Sequence, residues 1–505
     1  MNYAIGIDVS TTGVKSILVS QDGNVVADSL VEYSFSSPKP GWAEHDPKEW
    51  YEATLNSLKF LSQKSGSLID KVVVIGITGQ MHGSVFLDEN NDVIRPALLW
   101  NDQRTYKECI EIETKVGKSK LLDEVANPAL TGFTLPKVLW MRNNEPENFA
   151  RLRKVLLPKD YVRFKLTGTY ATDVADASGT LLFDVKNRKW SDFMLDTFDL
   201  NREWLPLCFE SQEIAGYLAK EAANYCGINK GIPFVAGGGD QAAGGVGNGI
   251  VETGLVSVTI GTSGVIFVST EKPRVESEGK LHTFCHAVPG MWHVMGVTLS
   301  AAGSMKWFAE NIGPENSRSQ SSEKGNNVYQ QVDAQAARIL PGSEELLFLP
   351  YLTGERTPYP DPNARGVFFG LTNRHGKPHM ARAVMEGVAF SLKDCMNLVL
   401  NMDIKIRKIM VSGGGAKSDL WKQITADVLE KDLITLNTTE GPAFGVAILG
   451  FVGTKVYRDV PTACKSMIKE VTVTKANSDN FGVYRKLYSI YTKLYPALAP
   501  HYKEL

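Results

Sequence analysis

The chain has 505 residues, of which 43% are hydrophobic and 22% are charged, and its formal net charge is −2. A single hydrophobic core stops growing near ~250–300 residues, so this length predicts two large domains. Near-neutral charge without a charged tail argues against a nucleic acid or an anionic membrane as the partner. A small molecule is the partner that this composition favours.

Membrane insertion and secretion are not indicated. No uncharged apolar run approaches the ~20 residues of a membrane span, and no basic region with an apolar stretch and a cleavage site opens the chain. We therefore expect a cytoplasmic protein. The six cysteines are scattered without a CxxC pair, which favours buried thiols over disulfides or zinc.

The first elements along the chain predict an antiparallel meander, a helix and a buried strand. IGIDVSTTGVKSILVS (5–20) has the pattern of two apolar strands joined by a polar turn, and Asp22-Gly23 supplies the turn into a third strand. Asp46 can cap a helix that starts at Pro47. KVVVIGITGQ then predicts a strand that is covered on both faces.

The middle of the chain repeats this order. From residue 255, LVSVTIGTSGVIFVS again joins two apolar strands by a turn of small residues, and the amphipathic stretch MARAVMEGVAFSLKDCMNLVL and the buried strand KIMVSGGG follow. We infer a remote duplication, with an N-terminal domain at 1–246 and a C-terminal domain at 247–505. The sequence leaves open whether the last helix packs back on the first domain. The polar stretch 316–327 predicts a surface loop.

The two matched turns can be interpreted as phosphate-binding hairpins. Glycine and small hydroxyl residues let backbone N–H groups approach an anion, and neither turn has the spacing of a dinucleotide fold or a P-loop. An acid beside phosphates is repelled unless a cation lies between them, so Asp8 predicts a Mg²⁺ site. The plain alternative for each turn is an ordinary hairpin.

Three further stretches carry candidate chemistry. VAGGGDQAAGGVGNG places Asp240 at the start of a helix, where a carboxylate either takes the proton of a hydroxyl that attacks phosphorus or simply caps the helix. Met81 and His82 follow a strand end, where ligands of open α/β sheets gather, so His82 either hydrogen-bonds a polyol or is structural. KIMVSGGGAKSDLW ends a strand in three glycines, which suits a nucleoside lying against the backbone.

HTFCHAVPGMWH carries three histidines, at 282, 286 and 293, that could suggest a metal. Their spacing fits no common zinc template, and the apolar residues between them predict strands instead.

With these motifs in order along nearly the whole chain, the sequence resembles the FGGY family of carbohydrate kinases. GFTLPKVLWMRNN (132–144) and GVFFGLTNRHGKPHMARAVMEG (366–387) are similar to the two family signatures. GWAEHDPKEWY, GITGQMHG, LLWNDQR, LLPKDYVRFKLTG, GGGDQAAG and FLPYLTGERTP are similar to the branch that phosphorylates a ketose. The resemblance implies an α/β, duplicated ribonuclease-H-like (actin-like ATPase) fold, with ATP and sugar in the cleft between two domains.

The resemblance also implies roles for individual residues. Asp240 is similar to the catalytic base, and Asp8 is similar to the second catalytic acid, which organises Mg²⁺. The positions that match sugar contacts are Met81, His82, Asp240 and Gln241. The positions that match nucleotide contacts are Thr12, Thr262, Gly303, Gly415 and Asp419. Two residues depart from the pattern, since many relatives have glycine at the position of Ser10 and asparagine at that of Gln241.

The activity that the resemblance implies is transfer of the γ-phosphoryl group of ATP to D-xylulose, giving D-xylulose 5-phosphate. Another ketose or polyol, such as ribulose, fuculose or glycerol, is the alternative, although glycerol kinases carry Arg-Glu in place of Met81-His82. A non-kinase ATPase of the actin-like fold is a further alternative, because one fold serves many functions. The number of subunits is left open, a homodimer being one option.

Overall fold

The structure, a computed structural model, describes residues 1–313, 325–438 and 440–505. The strands of the first half are β1 (Tyr3–Val9), β2 (Gly13–Ser20), β3 (Val25–Glu32), β4 (Glu44–His45), β5 (Val72–Gly79), β6 (Val85–Leu87), β7 (Ala97–Leu98), β8 (Lys154–Leu156), β9 (Ala171–Asp173), β10 (Phe183–Asp184), β11 (Lys189–Trp190), β12 (Leu207–Phe209), β13 (Ile214–Tyr217), β14 (Pro233–Val235) and β15 (Gly238–Gly239). Its helices are α1 (Pro47–Ser65), α2 (Tyr106–Val116), α3 (Lys118–Val125), α4 (Thr134–Asn144), α5 (Pro146–Arg151), α6 (Pro158–Thr167), α7 (Val174–Ala177), α8 (Asp192–Phe198), α9 (Lys220–Cys226) and α10 (Asp240–Gly247).

The second half has the same kind of elements. Its strands are β16 (Leu255–Ile260), β17 (Gly264–Thr270), β18 (His282–Cys285), β19 (Trp292–Thr298), β20 (Leu347–Leu349), β21 (Val367–Phe369), β22 (Lys408–Ser412), β23 (Leu433–Leu436) and β24 (Glu470–Thr474). Its helices are α11 (Ala302–Asn311), α12 (Gly325–Ala336), α13 (Lys377–Leu400), α14 (Asp419–Leu429), α15 (Gly441–Gly453), α16 (Val460–Met467) and α17 (Phe481–Tyr502).

Within the described ranges the main strands form two seven-stranded sheets with matching topology. The first has the order β13-β14-β5-β1-β2-β3 with β15 added beside β5, and the second has the order β18-β19-β17-β16-β22-β23-β24. In each, the first strand pairs antiparallel with the next strand and parallel with a later buried strand, as β1 does with β2 and β5, and β16 with β17 and β22. The predicted meander and its repetition are confirmed.

The start of α1 follows the predicted local signals. The Asp46 side chain accepts a hydrogen bond from the backbone N–H of Lys48 at 3.0 Å, and Pro47 occupies the first turn. Trp50, Leu58 and Leu61 recur on the buried face of the helix. This apolar face covers β2 and β3.

Helix α15 belongs to the second half by sequence but packs on the first sheet. A Cβ at Gly6 of β1 would lie 1.9 Å from the carbonyl oxygen of Ala443, and a Cβ at Gly445 would lie 1.9 Å from that of Ala243 in α10. Real Cβ atoms do not approach so closely, so only glycine permits these contacts. The helix pair α10 and α15 therefore joins the two halves backbone to backbone.

The last helix, α17, packs within the second half and not back on the first. Tyr484, Leu487, Tyr491 and Leu494 are buried in one core with residues of α13 and α14. Of the polar stretch 316–327, residues 316–324 lie outside the described residues, and α12 begins at Gly325. Among the helices described, none has the length and apolar character needed to cross a membrane.

Candidate active site

The first predicted phosphate hairpin connects β1 to β2. The backbone N–H and the hydroxyl of Ser10 both donate to the carbonyl oxygen of Gly13, at 3.0 Å and 2.8 Å. Ser10 does not adopt a positive φ, so its position needs no glycine. Serine in place of the glycine of many relatives is therefore compatible with this turn, because its hydroxyl closes the turn. Thr12 is exposed at the tip of the turn.

Asp8 lies in β1, directly opposite Lys15 in β2. Its Oδ1 atom is buried and, among the described residues, accepts no hydrogen bond. Burial and the charge of Asp240 raise the pKa of Asp8 to about 7, while Lys15 acts in the opposite direction. No group of three or more His, Cys, Asp or Glu side chains that could hold a metal occurs in the described ranges. One orphaned carboxylate oxygen fits a cation such as Mg²⁺, which keeps several water ligands.

Lys15 forms an ion pair with Glu440, the residue that precedes α15. The Lys15 side chain is 36% exposed. The sequence left this lysine without an assigned role. The structure shows that it connects the first hairpin to the second half of the chain.

Asp240 is the first residue of α10, directly after the short strand β15. Burial raises the pKa of Asp240 to about 6, and hydrogen bonds from the backbone and side chain of Gln241 oppose this rise. Asp240 is thus ionised at neutral pH but more basic than an ordinary aspartate. Gln241 stands where many relatives have the shorter asparagine, and it still donates hydrogen bonds to the Asp240 carboxylate.

Met81 and His82 follow β5 and lie beside the residue that precedes Asp240. A Cβ at Gly239 would lie 2.6 Å from Met81 Cγ, so Met81 packs closely against Gly239. His82 has a φ of 67°, and its Nδ1 lies 2.8 Å from the carbonyl oxygen of Gly179. Burial lowers the pKa of His82 well below its ordinary value, so the ring is neutral. A neutral ring that donates from Nδ1 has Nε2 available to accept from a hydroxyl.

Lys137, to which the sequence assigned no role, holds the turn at His82. Its Nζ donates to the carbonyl oxygens of His82 at 2.9 Å and Gly132 at 2.6 Å, and its side chain is fully buried. Burial lowers the pKa of Lys137 to about 7. A lysine within the apolar helix TLPKVLWM is the signal that could have identified it.

A second group that sequence reasoning missed lies beneath Asp240. Lys159 Nζ is 2.5 Å from Asp160 Oδ1, 2.7 Å from Asp173 Oδ2 and 3.4 Å from Asp176 Oδ2, and all four side chains are 0% exposed. A Cβ at Gly239 would lie 3.3 Å from Asp176 Oδ1. This buried ionic cluster therefore supports the strand that presents the proposed base.

The second hairpin borders a cavity of about 610 Å³ in the second half. The backbone N–H of Gly303 donates to the carbonyl oxygen of Thr262 at 3.1 Å, which fixes the start of α11 against the turn. Thr262, Gly303 and Gly415 all line this cavity, together with Met305, Tyr329 and Trp421. Asp419 follows the lining residue Ser418 but is not itself part of the lining; its side chain is 97% exposed and pairs with Lys422 at 2.8 Å.

A cavity of similar size, about 620 Å³, contains none of the predicted site residues. It lies between 344–375 and α17 and is lined by exposed charged side chains such as Arg374. Because neither the candidate carboxylates nor the hairpin residues line it, we do not assign the reaction to this cavity.

Of the three histidines of HTFCHAVPGMWH, His282 lies in β18 and His293 in β19, as predicted, and His286 directly follows β18. All three are buried, and burial lowers their pKa values. His286 Nε2 lies 2.9 Å from the carbonyl oxygen of Ile250, which is a structural contact.

Comparison with known proteins agrees with this geometry. Residues 3–247 match the N-terminal domain, and residues 256–454 the C-terminal domain, of the FGGY family of carbohydrate kinases. The xylulose kinase of Escherichia coli K12 is 40% identical over 98% of this chain and 99% of its own, and that of Lactococcus lactis is 37% identical over 98% and 97%. The gluconokinase of Bacillus subtilis is 29% identical over 100% and 98%.

Solved structures show the same architecture. A crystal structure titled as a xyloylose kinase from Brucella ovis is 35% identical, covers 99% of this chain and 100% of its own, and has a TM-score of 0.90. The glycerol kinase of Plasmodium falciparum, at 22% identity and a TM-score of 0.85, covers 98% of both chains and shows the fold alone. The expected two-domain, actin-like ATPase type of fold is thus confirmed. The chain belongs to the FGGY family of carbohydrate kinases.

Proposed function

We propose that the protein is an ATP-dependent kinase that converts D-xylulose to D-xylulose 5-phosphate and that works in the cytoplasm. The observation that carries the proposal is Asp240, a half-buried carboxylate with a pKa of about 6 at the start of α10. It follows Gly239, which packs on Met81, and its charge contributes to the raised pKa of Asp8. Curated relatives that span nearly the whole chain are named xylulose kinases, which supports the choice of sugar.

The proposed reaction is an in-line transfer. The primary hydroxyl of the sugar attacks the γ-phosphorus of ATP, Asp240 accepts the hydroxyl proton, and the bond from the γ-phosphorus to the bridging oxygen breaks to release ADP. The Nε2 atom of His82 accepts a hydrogen bond from another sugar hydroxyl. Backbone N–H groups of the two hairpins and of the start of α10 stabilise the charge that develops on the phosphoryl oxygens.

Asp8 is the residue that would hold Mg²⁺, through its orphaned Oδ1. When bound, the cation neutralises charge on the β- and γ-phosphates. Burial raises the pKa of Asp8, and the negative charge of Asp240 adds to this rise, so a cation between the two carboxylates would favour their ionised forms.

The cavity of the second half is proposed as the nucleotide site. Trp421 and Met305 supply apolar surface for a base, and Gly415 lets the nucleoside lie against the backbone. Thr262 and Gly303 are the phosphate-side residues of this cavity, and Thr12 is their counterpart on the first hairpin. Asp419 directly follows the lining residue Ser418, so its predicted nucleotide contact would be made at the edge of this cavity.

An ADP-release assay over a panel of acceptors tests the proposal. D-Xylulose, D-ribulose, L-fuculose, glycerol and D-gluconate are compared at equal concentration, gluconate being included because gluconokinases are among the relatives. We expect D-xylulose to give the highest kcat/KM, and Asp240→Asn to lower kcat by about 10²–10⁴. Turnover of another acceptor but not of D-xylulose would refute the substrate, and a near-normal rate for Asp240→Asn would refute the base.

A further inference from the structure

The segment GERTP, residues 354–358, is a motif to which the proposed mechanism gives no role. It is fixed to the end of β19. The Glu355 carboxylate accepts hydrogen bonds from Thr298 Oγ1 at 2.6 Å and from the backbone N–H of Leu299 at 3.0 Å. The backbone N–H of Thr357 donates to the carbonyl oxygen of Val297 at 3.1 Å. Arg356 is therefore held at a fixed place between two anchored neighbours.

The guanidinium of Arg356 has no protein partner in the described part of the chain. Its backbone N–H donates to Glu355 Oε1 at 2.7 Å, but its side chain forms neither a hydrogen bond nor an ion pair there. Other inward-facing arginines are paired, such as Arg163 with Asp160 and Arg382 with Glu386. Arg356 is half-buried, and because no protein group pairs with its charge, its N–H donors are available to a ligand.

The surroundings of Arg356 show which part of the cleft it faces. Thr357 Oγ1 donates to the carbonyl oxygen of Lys280 at 3.2 Å, two residues before His282. Burial lowers the pKa of both His82 and His282, and the positive charge of Arg356 adds to this effect. The ring of Phe133 connects the two histidines, with its centroid 4.5 Å from that of His82 and 5.8 Å from that of His282. The guanidinium thus lies on the side of the site that carries His82 and His282.

We propose that Arg356 donates hydrogen bonds to the oxygens of the acceptor sugar at the end opposite the reacting hydroxyl, which is the C1–C2 end of a ketose. The proposal rests on the proposed function in one respect, that Asp240 marks the position of the reacting hydroxyl. A planar guanidinium presents a fork of N–H donors that matches a ketone oxygen and its neighbouring hydroxyl. Because Arg356 comes from the second half and His82 from the first, both halves then hold the sugar.

The test compares Arg356→Met with Arg365→Met, an exposed arginine of the same loop, in steady-state ADP-release assays. Loss of a charge-assisted hydrogen bond predicts a KM for D-xylulose about 10- to 100-fold higher in Arg356→Met, with the KM for ATP within twofold of wild type. In the Arg365→Met control, the KM for D-xylulose and the KM for ATP should both equal those of the wild type. An unchanged KM for the sugar, or a rise confined to the KM for ATP, would overturn the proposal.

A second readout follows the carbonyl group itself. Xylitol lacks the C2 carbonyl, so the ratio of its inhibition constant to the KM for D-xylulose reports how strongly the enzyme reads that end of the sugar. We expect this ratio to fall about tenfold in Arg356→Met, and an unchanged ratio would contradict the assignment.

If Arg356→Met fails to fold, Arg356→Lys keeps the charge without the fork, and an intermediate KM is expected. A wild-type KM in Arg356→Lys would refute recognition by the fork. If the wild type uses another ketose in place of D-xylulose, the substrate of the proposed function is wrong, and the same comparison is made with that ketose.

Discussion

Replacing Lys159 with methionine tests the buried ionic cluster beneath the proposed base. The ammonium group faces Asp160, Asp173 and Asp176 at 2.5, 2.7 and 3.4 Å, with no exposure of any of these side chains. Arg163 remains as the second cation of the cluster, 2.8 Å from Asp160. Removing Lys159 therefore leaves at least one buried carboxylate without compensation.

The expected cost is about 3–5 kcal/mol, the usual penalty for breaking a buried ion pair on one side. In a domain of this size, 1 kcal/mol shifts Tm by about 2–4 °C, so the variant should melt at least about 6 °C lower at pH 8. Burial already raises the pKa of Asp173 and Asp176, and Lys159 opposes that rise. Without the lysine these pKa values rise further.

The pH dependence follows from the sign of that shift. A carboxyl whose pKa is higher in the folded than in the unfolded state binds its proton more tightly when folded, so it stabilises the fold as pH falls. Each carboxyl that takes up a proton can recover about 1.4 kcal/mol per pH unit. The deficit of Lys159→Met should therefore shrink between pH 8 and pH 5.

Thermal unfolding at pH 5, 6.5 and 8 measures both effects, with Lys165→Met on the exposed face of the same helix as the control. The control should melt within about 1 °C of wild type, because exposed substitutions cost little. A loss of less than 2 °C at pH 8, or a deficit that does not change with pH, would refute the reasoning.

Three further predictions concern the site and the junction of the halves. First, kcat/KM for the sugar should rise with pH through about 6 and then level off, because Asp240 must lose its proton before it can accept one; a profile that is flat from pH 5 to 8 would contradict this. Second, Gly445→Ala should cost about 1–3 kcal/mol in thermal unfolding, since its Cβ would lie 1.9 Å from a carbonyl oxygen of α10, whereas Gly482→Ala in α17, with open space around it, should cost nothing and can stabilise by up to about 1 kcal/mol. Third, Lys137→Met should raise the KM for the sugar about tenfold and leave that for ATP unchanged, because the His82 turn loses its 2.9 Å anchor; equal changes in both would indicate a general loss of structure.

Local signals in the sequence were sufficient to predict many of the helices, strands and turns. The Asp46 cap, the hairpin at 10–12 and the strand that precedes Asp240 all rest on neighbours within a few residues, and each is present. The repeated order of strands in the sequence then predicted two sheets of the same topology. The nucleotide contacts stay predictions: Thr262, Gly303 and Gly415 line one cavity, whereas Asp419 begins its helix next to that lining and is exposed.

What the sequence could not provide depends on contacts between distant residues. Lys137 reaches the carbonyl of His82 across 55 positions, and Lys15 pairs with Glu440 from the opposite end of the chain. No periodicity or spacing encodes such pairings. The same holds for the ionic cluster, whose members come from two separate segments, 159–163 and 173–176.

The position of α15 has a consequence for how the chain folds during synthesis. The first sheet buries Ala4, Ile17, Val19 and Val74 in one core with the apolar residues of this helix. A ribosome that has completed residue 247 has made every strand of that sheet but not the helix that covers one of its faces. The first half must therefore wait, with apolar surface uncovered, for about two hundred further residues, a delay of roughly 10–40 s at ordinary rates of translation. A fragment that ends at residue 246 should aggregate, and adding 441–467 as a separate peptide should restore its solubility.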